Sequence, residues 1–298
     1  MTRPSLIDLK LAYTRNENIT RILRESAESA VNDQSAILIA YDFQAGSYVQ
    51  ALDDPTHRSL VEKYTDAISA ILYSLRPRLI LEPGVGEATT LREVHRRLAD
   101  ASALPALGFD LSWSRVHVGR RHFGCSPSDN NLFVGELESI ALPDNAADVV
   151  YTSHAVEPNH GREAEILQEL YRVTIRYLVL FEPSYEFGSP EARVWMEAHG
   201  YCRGLREVAD RMGWSVVRHE LLGVSSNPLN PTGVLVIEKR QGEGNPEVPG
   251  LVCPSCRGPL VAVESALFCA AEGLAYPILR GIPCLARHNA ILASKLLD

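Results

Sequence analysis

A chain of 298 residues, 46% of them hydrophobic and 22% charged, has enough apolar mass for one large domain and a small one. No run approaches the roughly eighteen apolar residues of a membrane span, and Met1 to Lys10 lacks the apolar centre of a secretory signal, so a cytoplasmic location is expected. The formal charge of −8 argues against broad binding to nucleic-acid backbones.

Taken in chain order, Ser5 to Ala30 has the spacing of one or two helices, and Thr56 to Ser74 that of another. Residues 1–74 therefore read as a helical N-terminal segment. From Arg78 the pattern changes. Leu79-Ile80-Leu81 is a short buried run ending in Glu82-Pro83-Gly84, and a helix is predicted from Thr89 to Leu98. Further β-rich runs follow at Ala106–Phe109, Asn131–Val134, Asp148–Thr152, Tyr177–Phe181, Trp214–Leu222 and Gly233–Lys239. Helices are predicted between them at Ser112–His122, at Gly161–Thr174 and, as one long piece, at Pro190–Met212.

Short strands alternating with amphipathic helices predict an α/β fold with a doubly wound, Rossmann-like sheet, here of seven strands. Only the Pro-rich loop Gly223–Thr232 separates the last two runs, so they should form an antiparallel hairpin. The sheet domain is placed at 75–240. A polar Gly/Pro-rich linker at 241–250 leads to a separate unit at 251–298.

Gly84-Val85-Gly86 lies between a predicted strand and a predicted helix, where glycine lets the backbone approach a ligand. Glu82 ends that strand and Asp110 ends the next; a carboxylate at the second position accepts hydrogen bonds from vicinal ribose hydroxyls. A dinucleotide fits less well. Its third glycine would fall at Thr89, and Glu82 would face a pyrophosphate that needs donors. S-adenosylmethionine (SAM), with a sulfonium and an ammonium group and no phosphate, suits the acid better. After the third strand, Glu136 is placed to accept from the adenine amino group, beside Leu137.

Together these motifs resemble those of class I SAM-dependent methyltransferases, in particular the broad group that includes the quinone-biosynthesis enzymes. Glu82-Pro83-Gly84-Val85-Gly86-Glu87-Ala88 resembles the first motif, with Ala88 where glycine is frequent. Gly135-Glu136-Leu137-Glu138-Ser139 resembles the adenine motif, Asp144 to Tyr151 the fourth-strand motif, and Leu170 to Pro183 the next helix and strand. The resemblance spans residues 75 to 240. It implies that Glu82, Gly84, Gly86, Asp110, Glu136 and Leu137 line the cofactor, with the backbone at Thr152 and Ser153 bordering its methionine end. Tyr41 and Tyr48 are further candidates, from an N-terminal segment that often covers this pocket as a lid.

Methyl transfer is an in-line displacement whose main demand is alignment, with a base where the acceptor must lose a proton. His154, Glu157 and His160 cluster after the fourth strand, and Glu182 ends the fifth. They are the catalytic candidates, with His154 as the base. The loop after strand four lacks an Asn-Pro-Pro-aromatic signature, which counts against the subgroup methylating exocyclic amines of bases. The expected acceptor is a small-molecule or carbohydrate-type metabolite. RNA or protein methylation and non-catalytic SAM binding are the alternatives. The basic run Arg115, Arg120, Arg121 and His122 has the spacing of a solvated helix face.

Cysteines cluster in the tail. Cys253-Pro-Ser-Cys256 places two thiolates on one metal, Cys269 adds a third, and Glu272 or Cys284 would complete a zinc site. Cys125 and Cys202 are expected to be buried and inert. Residues 251 to 286 resemble the small zinc-ribbon-like proteins that activate RNA and protein methyltransferases, here joined to the enzyme. Charges in the tail nearly balance, so it is expected to pack on the enzyme or to mediate a homodimer rather than to bind RNA.

Overall fold

The computed structural model describes residues 3–98, 104–125, 131–239 and 248–297. The chain opens with α1 (Leu6–Thr14), α2 (Ile19–Ser26), α3 (Gln34–Phe43), α4 (Ser47–Ala51) and α5 (Pro55–Ser74). Side-chain caps set most of these starts: Ser5, Asn18, Asp33 and Asp54 each accept from an amide of the following turn. The first three helices share a small core of their own, built from Leu9, Ala12, Ile19, Leu23, Ala36 and Ala40. In contrast, α5 places Ile68, Ile71 and Leu72 in the core of the sheet. The N-terminal segment is thus not one lid. Its first part, α1 to α4, is a cap, whereas α5 is a layer of the main body because its apolar face recurs at helical spacing.

The body continues with β1 (Ile80–Pro83), α6 (Thr89–Leu98), β2 (Ala106–Asp110), α7 (Trp113–Phe123), β3 (Leu132–Val134), β4 (Ala147–Ser153), α8 (Glu163–Val173) and β5 (Thr174–Pro183). Then come α9 (Pro190–His199), α10 (Leu205–Arg211), β6 (Ser215–Leu221) and β7 (Thr232–Glu238). These strands form the expected seven-stranded sheet, in the order β3-β2-β1-β4-β5-β7-β6. The first five are parallel, and β7 inserts antiparallel between β5 and β6. Alternate residues serve opposite faces. Ile80, Val149, Tyr151 and Phe181 meet α5, α6 and α7, while Leu81, Val150, Leu178 and Leu180 meet α8 and α10. Covering both faces explains why the strands read as unbroken apolar runs.

The single helix expected over Pro190–Met212 is instead α9 and α10. Gly200 ends α9 at φ +68, donating its N–H back to the Glu197 carbonyl, and a left-handed residue of this kind stops a helix.

The tail forms β8 (Val261–Val263), β9 (Ala266–Cys269), β10 (Leu274–Leu279), β11 (Ile282–Pro283) and β12 (Ile291–Leu292) in a small antiparallel sheet. It packs on the sheet domain. Cys284 pairs in parallel with Val134 of β3, and the Leu285 amide donates to the Val134 carbonyl at 2.8 Å. Ile282, Cys284 and Ala286 enter the core on one side of the large sheet and Leu285 enters it on the other. This stretch therefore covers the β3 edge as an added strand would. Arg120 donates to the Gly281 carbonyl at 2.6 Å, and Arg257 pairs with Glu169 at 2.8 Å.

The basic run of α7 is accordingly a solvated face only in part, with Arg121 exposed and His122 half-buried. Arg115 and Arg120 are buried, because α7 is wedged between cap, sheet and tail. Most of the 241–250 linker lies outside the described residues. No helix among the described residues is long and apolar enough to cross a membrane.

Candidate active site

The loops after β1, β2, β3 and β4 meet at one end of the sheet, where open α/β sheets bind ligands. Gly84 has φ +69, and a Cβ there would lie 2.3 Å from the Cβ of Ala155 in the loop after β4. Only glycine lets these two loops touch. Asp110 fixes the next junction: its carboxylate accepts from the Gly86 amide at 3.0 Å and from the Ser112 amide at 2.9 Å. Ala88, standing where glycine is frequent, is held at φ +56 and is fully buried.

A cleft runs along these loops, lined by Gly84, Asp110, Gly135, Glu136 and Leu137, with Gln34 and Tyr41 of α3 above. Glu136 is buried and is reached from two sides. Gln34 Nε2 donates to it at 3.0 Å, and Arg287 of the tail donates to it through Nε. Cap and tail thus converge on the acid expected at the adenine.

Next to the cleft lies a chamber of about 330 Å³, sharing Tyr41, Gly84, Arg115 and His154 with it. Its walls include Tyr48, Leu60, Val61 and Tyr64, with Glu82 and Ser153 at the strand ends and Glu157 in the loop after β4. Glu87, buried in the turn before α6, accepts from the Gly46 amide at 2.9 Å and the Val49 amide at 2.8 Å, which holds Tyr48 in place. The Tyr64 hydroxyl lies 2.9 Å from Ser153 Oγ. Burial raises the Glu82 carboxyl to about 8, although the Tyr151 hydroxyl donates to it at 2.5 Å and opposes the shift.

His154 sits at φ +55 on the loop after β4, with Nδ1 against Glu157 and Nε2 2.9 Å from Thr232 Oγ1. Burial works against its charged form, but the Glu157 carboxylate and its hydrogen bond prevail and raise the pKa. Glu157 also accepts from Asn230 at 3.4 Å.

Other expected residues lie apart. Glu182 borders neither cleft nor chamber; its oxygens accept the amides of Ala155 at 3.0 Å, Val156 at 3.1 Å and Glu157 at 3.0 Å. It clamps the loop that carries His154, and burial raises it to about 7. His160 also borders neither; it bridges Glu163 at 2.9 Å and Arg203 at 2.5 Å. Thr152 is buried behind Ser153. Gly86 lies under a side chain, since a Cβ there would be 2.5 Å from the Arg115 guanidinium.

The sequence reading missed Arg115, Tyr64, Gln34, Asn230, Thr232 and Arg287. For Arg115 a signal existed: the buried positions of α7 are Arg115, Val116, Gly119 and Arg120, a helical stripe that includes it.

In the tail, the sulfurs of Cys253, Cys256 and Cys269 all lie within 4.8 Å of one another, close enough to share one zinc ion. Glu272 and Cys284 are not with them: Glu272 is exposed, and Cys284 is buried in the contact with β3. Cys284 was expected as a ligand because of its residue type, but its place is set by the added strand. Cys202 is buried as expected, and Cys125 is half-buried.

Comparison with known proteins agrees with this geometry. A family model described as a methyltransferase domain matches residues 81–177, and one described as Trm112p-like protein matches residues 251–281. A UPF0434 protein of Stutzerimonas stutzeri (strain A1501) is 48% identical over 42 residues, covering 13% of this chain and 69% of the relative. Magnesium protoporphyrin IX methyltransferase from Synechocystis PCC 6803, solved with bound SAH, has the same fold. It superposes with a TM-score of 0.51 at 16% identity, covering 70% of this chain and 100% of that one. A complex of the Haloferax volcanii Trm112 methyltransferase activator with a methyltransferase gives a TM-score of 0.44 at 14% identity, over 56% of this chain and 84% of that one. Fold and matched domain define a SAM-dependent methyltransferase. At its C-terminus, residues 251–281 form a Trm112p-like domain.

Proposed function

We propose that this methyltransferase acts on a small molecule held in the chamber beneath the N-terminal cap. The observation that carries the reading is the chamber itself: about 330 Å³, adjoining the cofactor cleft and walled by Tyr41, Tyr48 and Tyr64. The residues of the cleft fit SAM. Asp110 and Glu136 supply acceptors for the ribose and the adenine, Leu137 borders the ring, and Gly84 leaves its backbone open. Glu82 and Ser153, which line the adjoining chamber, would face the methionine end of the bound cofactor. When bound, SAM supplies a methyl group on a sulfonium leaving group.

The chain's own residues then align the acceptor and take its proton. His154 reaches both cavities, and Glu157 orients the ring and stabilises its charged form. Thr232 holds Nε2 until an acceptor N–H or O–H displaces it, after which Nε2 receives that proton. Glu182 is a positioning residue, fixing the backbone that presents His154. The three tail thiols would hold a structural zinc with one position left to solvent or a further donor.

The Trm112p-like tail favours a second reading, methylation of RNA or protein. Three arginines that follow β4 and β5 in the chain are already engaged, however. Arg162 pairs with Glu138, Arg203 with Glu197, and Arg193 with the Tyr185 and Glu186 carbonyls.

Incubation with methyl-labelled SAM and either a protein-free, RNA-free metabolite extract or the RNA and protein fractions separates the two readings. Label in the low-mass fraction is expected. Label confined to RNA or protein would overturn the proposal.

A further inference from the structure

Arg115 is more than nine-tenths buried, yet its Nε has no hydrogen-bond partner among the described residues. Its guanidinium carbon lies 4.7 Å from the Tyr48 ring centre and 5.3 Å from that of Tyr41, on the wall shared by cleft and chamber. A guanidinium is charged at any physiological pH, and burying it with an idle donor is costly unless a ligand completes the site.

The neighbouring acids are otherwise occupied. Asp110 accepts from two backbone amides, Glu87 from the amides of Gly46 and Val49, and Glu157 from His154. Tyr41 and Tyr48 stay neutral, because burial raises both phenols. They offer the cation two ring faces and no competing charge.

We infer that Arg115 is the anion-binding residue of the chamber, and that its ligand is a carboxylate on a flat, largely apolar body. Leu60, Val61, Tyr48 and Tyr64 receive the body, and Arg115 receives the carboxylate through the planar fork that carboxylates match. The rival source, which would overturn an acceptor carboxylate, is the amino-acid end of SAM. This inference rests on the reading of the chamber as the acceptor site.

The test uses the full-length protein in three arms. Titration with S-adenosylhomocysteine checks the cofactor site alone; its failure would sink the methyltransferase reading itself. The loaded protein is next titrated with benzoate, phenylacetate and indole-3-carboxylate, each against its primary amide. Acids should bind about tenfold or more tightly than their amides, and Arg115→Met should erase that preference while Arg115→Lys keeps part of it. A purely structural Arg115 would lower the affinity for acid and amide equally. Equal binding of acid and amide by the wild type, or binding of neither, would overturn an acceptor carboxylate. The third arm compares SAM with decarboxylated SAM. If only SAM is weakened by Arg115→Met and the acid preference is absent, the anion is the cofactor's own. If neither arm responds to Arg115→Met, the inference is wrong.

Discussion

The cleft proposed for the cofactor and the chamber proposed for the acceptor share a wall but are made from different kinds of sequence. The cleft is built from loops that each follow a strand, so its residues are few, local and fixed by backbone: Gly84 against Ala155, Asp110 on the Gly86 amide, Glu136 after β3. The chamber is assembled from side chains far apart in the chain: Tyr48 on α4, Tyr64 on α5, Arg115 on α7 and Asn230 before β7. The difference teaches that a strand-end motif reports what the backbone must do, whereas an acceptor site depends on which helices the fold folds over it. A cofactor is therefore readable from a short segment, and an acceptor is not.

Breaking the cleft should have the largest effect. Gly84→Val places a branched side chain at φ +69 against Ala155. The strain alone is about 1–3 kcal/mol before the clash. Binding of S-adenosylhomocysteine, measured by calorimetry, should fall below detection while circular dichroism still shows the fold.

The thiol cluster tests whether the tail is a metal-held unit. Metal analysis should give about one zinc per chain, and Cys253→Ser should release it and lower the melting temperature by several degrees. An unchanged metal content would show that the three thiols are not the site.

Arg287→Ala sharpens the comparison, because it touches the cleft from the tail. The Glu136–Arg287 contact joins a buried acid to a half-exposed base. Its loss should cost about 1–2 kcal/mol, or roughly five- to thirtyfold in cofactor affinity, with little change in zinc content. A change in melting temperature without a change in affinity would confine the contact to stability.

The smallest effect is that of pH. Glu82 keeps its proton in the folded chain up to about 8, against an ordinary value of 4.5. A raised pKa gives stability that is fully present below about 4.5 and lost as pH rises through about 8. Glu182, raised to about 7, acts in the same direction. The ligand-free protein should therefore melt a few degrees lower at pH 8 than at pH 6, and Glu82→Gln should flatten the trend. A melting temperature that rises over this interval would contradict the buried, protonated Glu82.

Most of the sheet was legible because its strands are apolar on both faces and its helices are amphipathic. The order of the last two strands was partly hidden: the loop Gly223–Thr232 shows that they pair, but not that β7 also pairs with β5. The break at Gly200 was readable in principle, since a glycine after a helical run that ends in histidine is a helix stop. Glu182 was legible as important but not in its role, because three backbone amides from another loop are not visible in sequence. Cys284 was misread for the same reason, its partner Val134 being 150 positions earlier. Arg115 was misread because charge was weighed above the helical stripe that buries it.

Calorimetric titration of purified, metal-analysed wild type and Asp110→Ala with S-adenosylhomocysteine tests the account most directly. Asp110 holds the Gly86 and Ser112 amides and faces the cleft, so removing it costs about 2–3 kcal/mol. Micromolar binding by wild type, weakened by about thirtyfold or more in the variant, is the predicted result. Equal binding by both proteins would contradict the placement of the cofactor, and no binding by folded wild type would contradict SAM as the cofactor altogether.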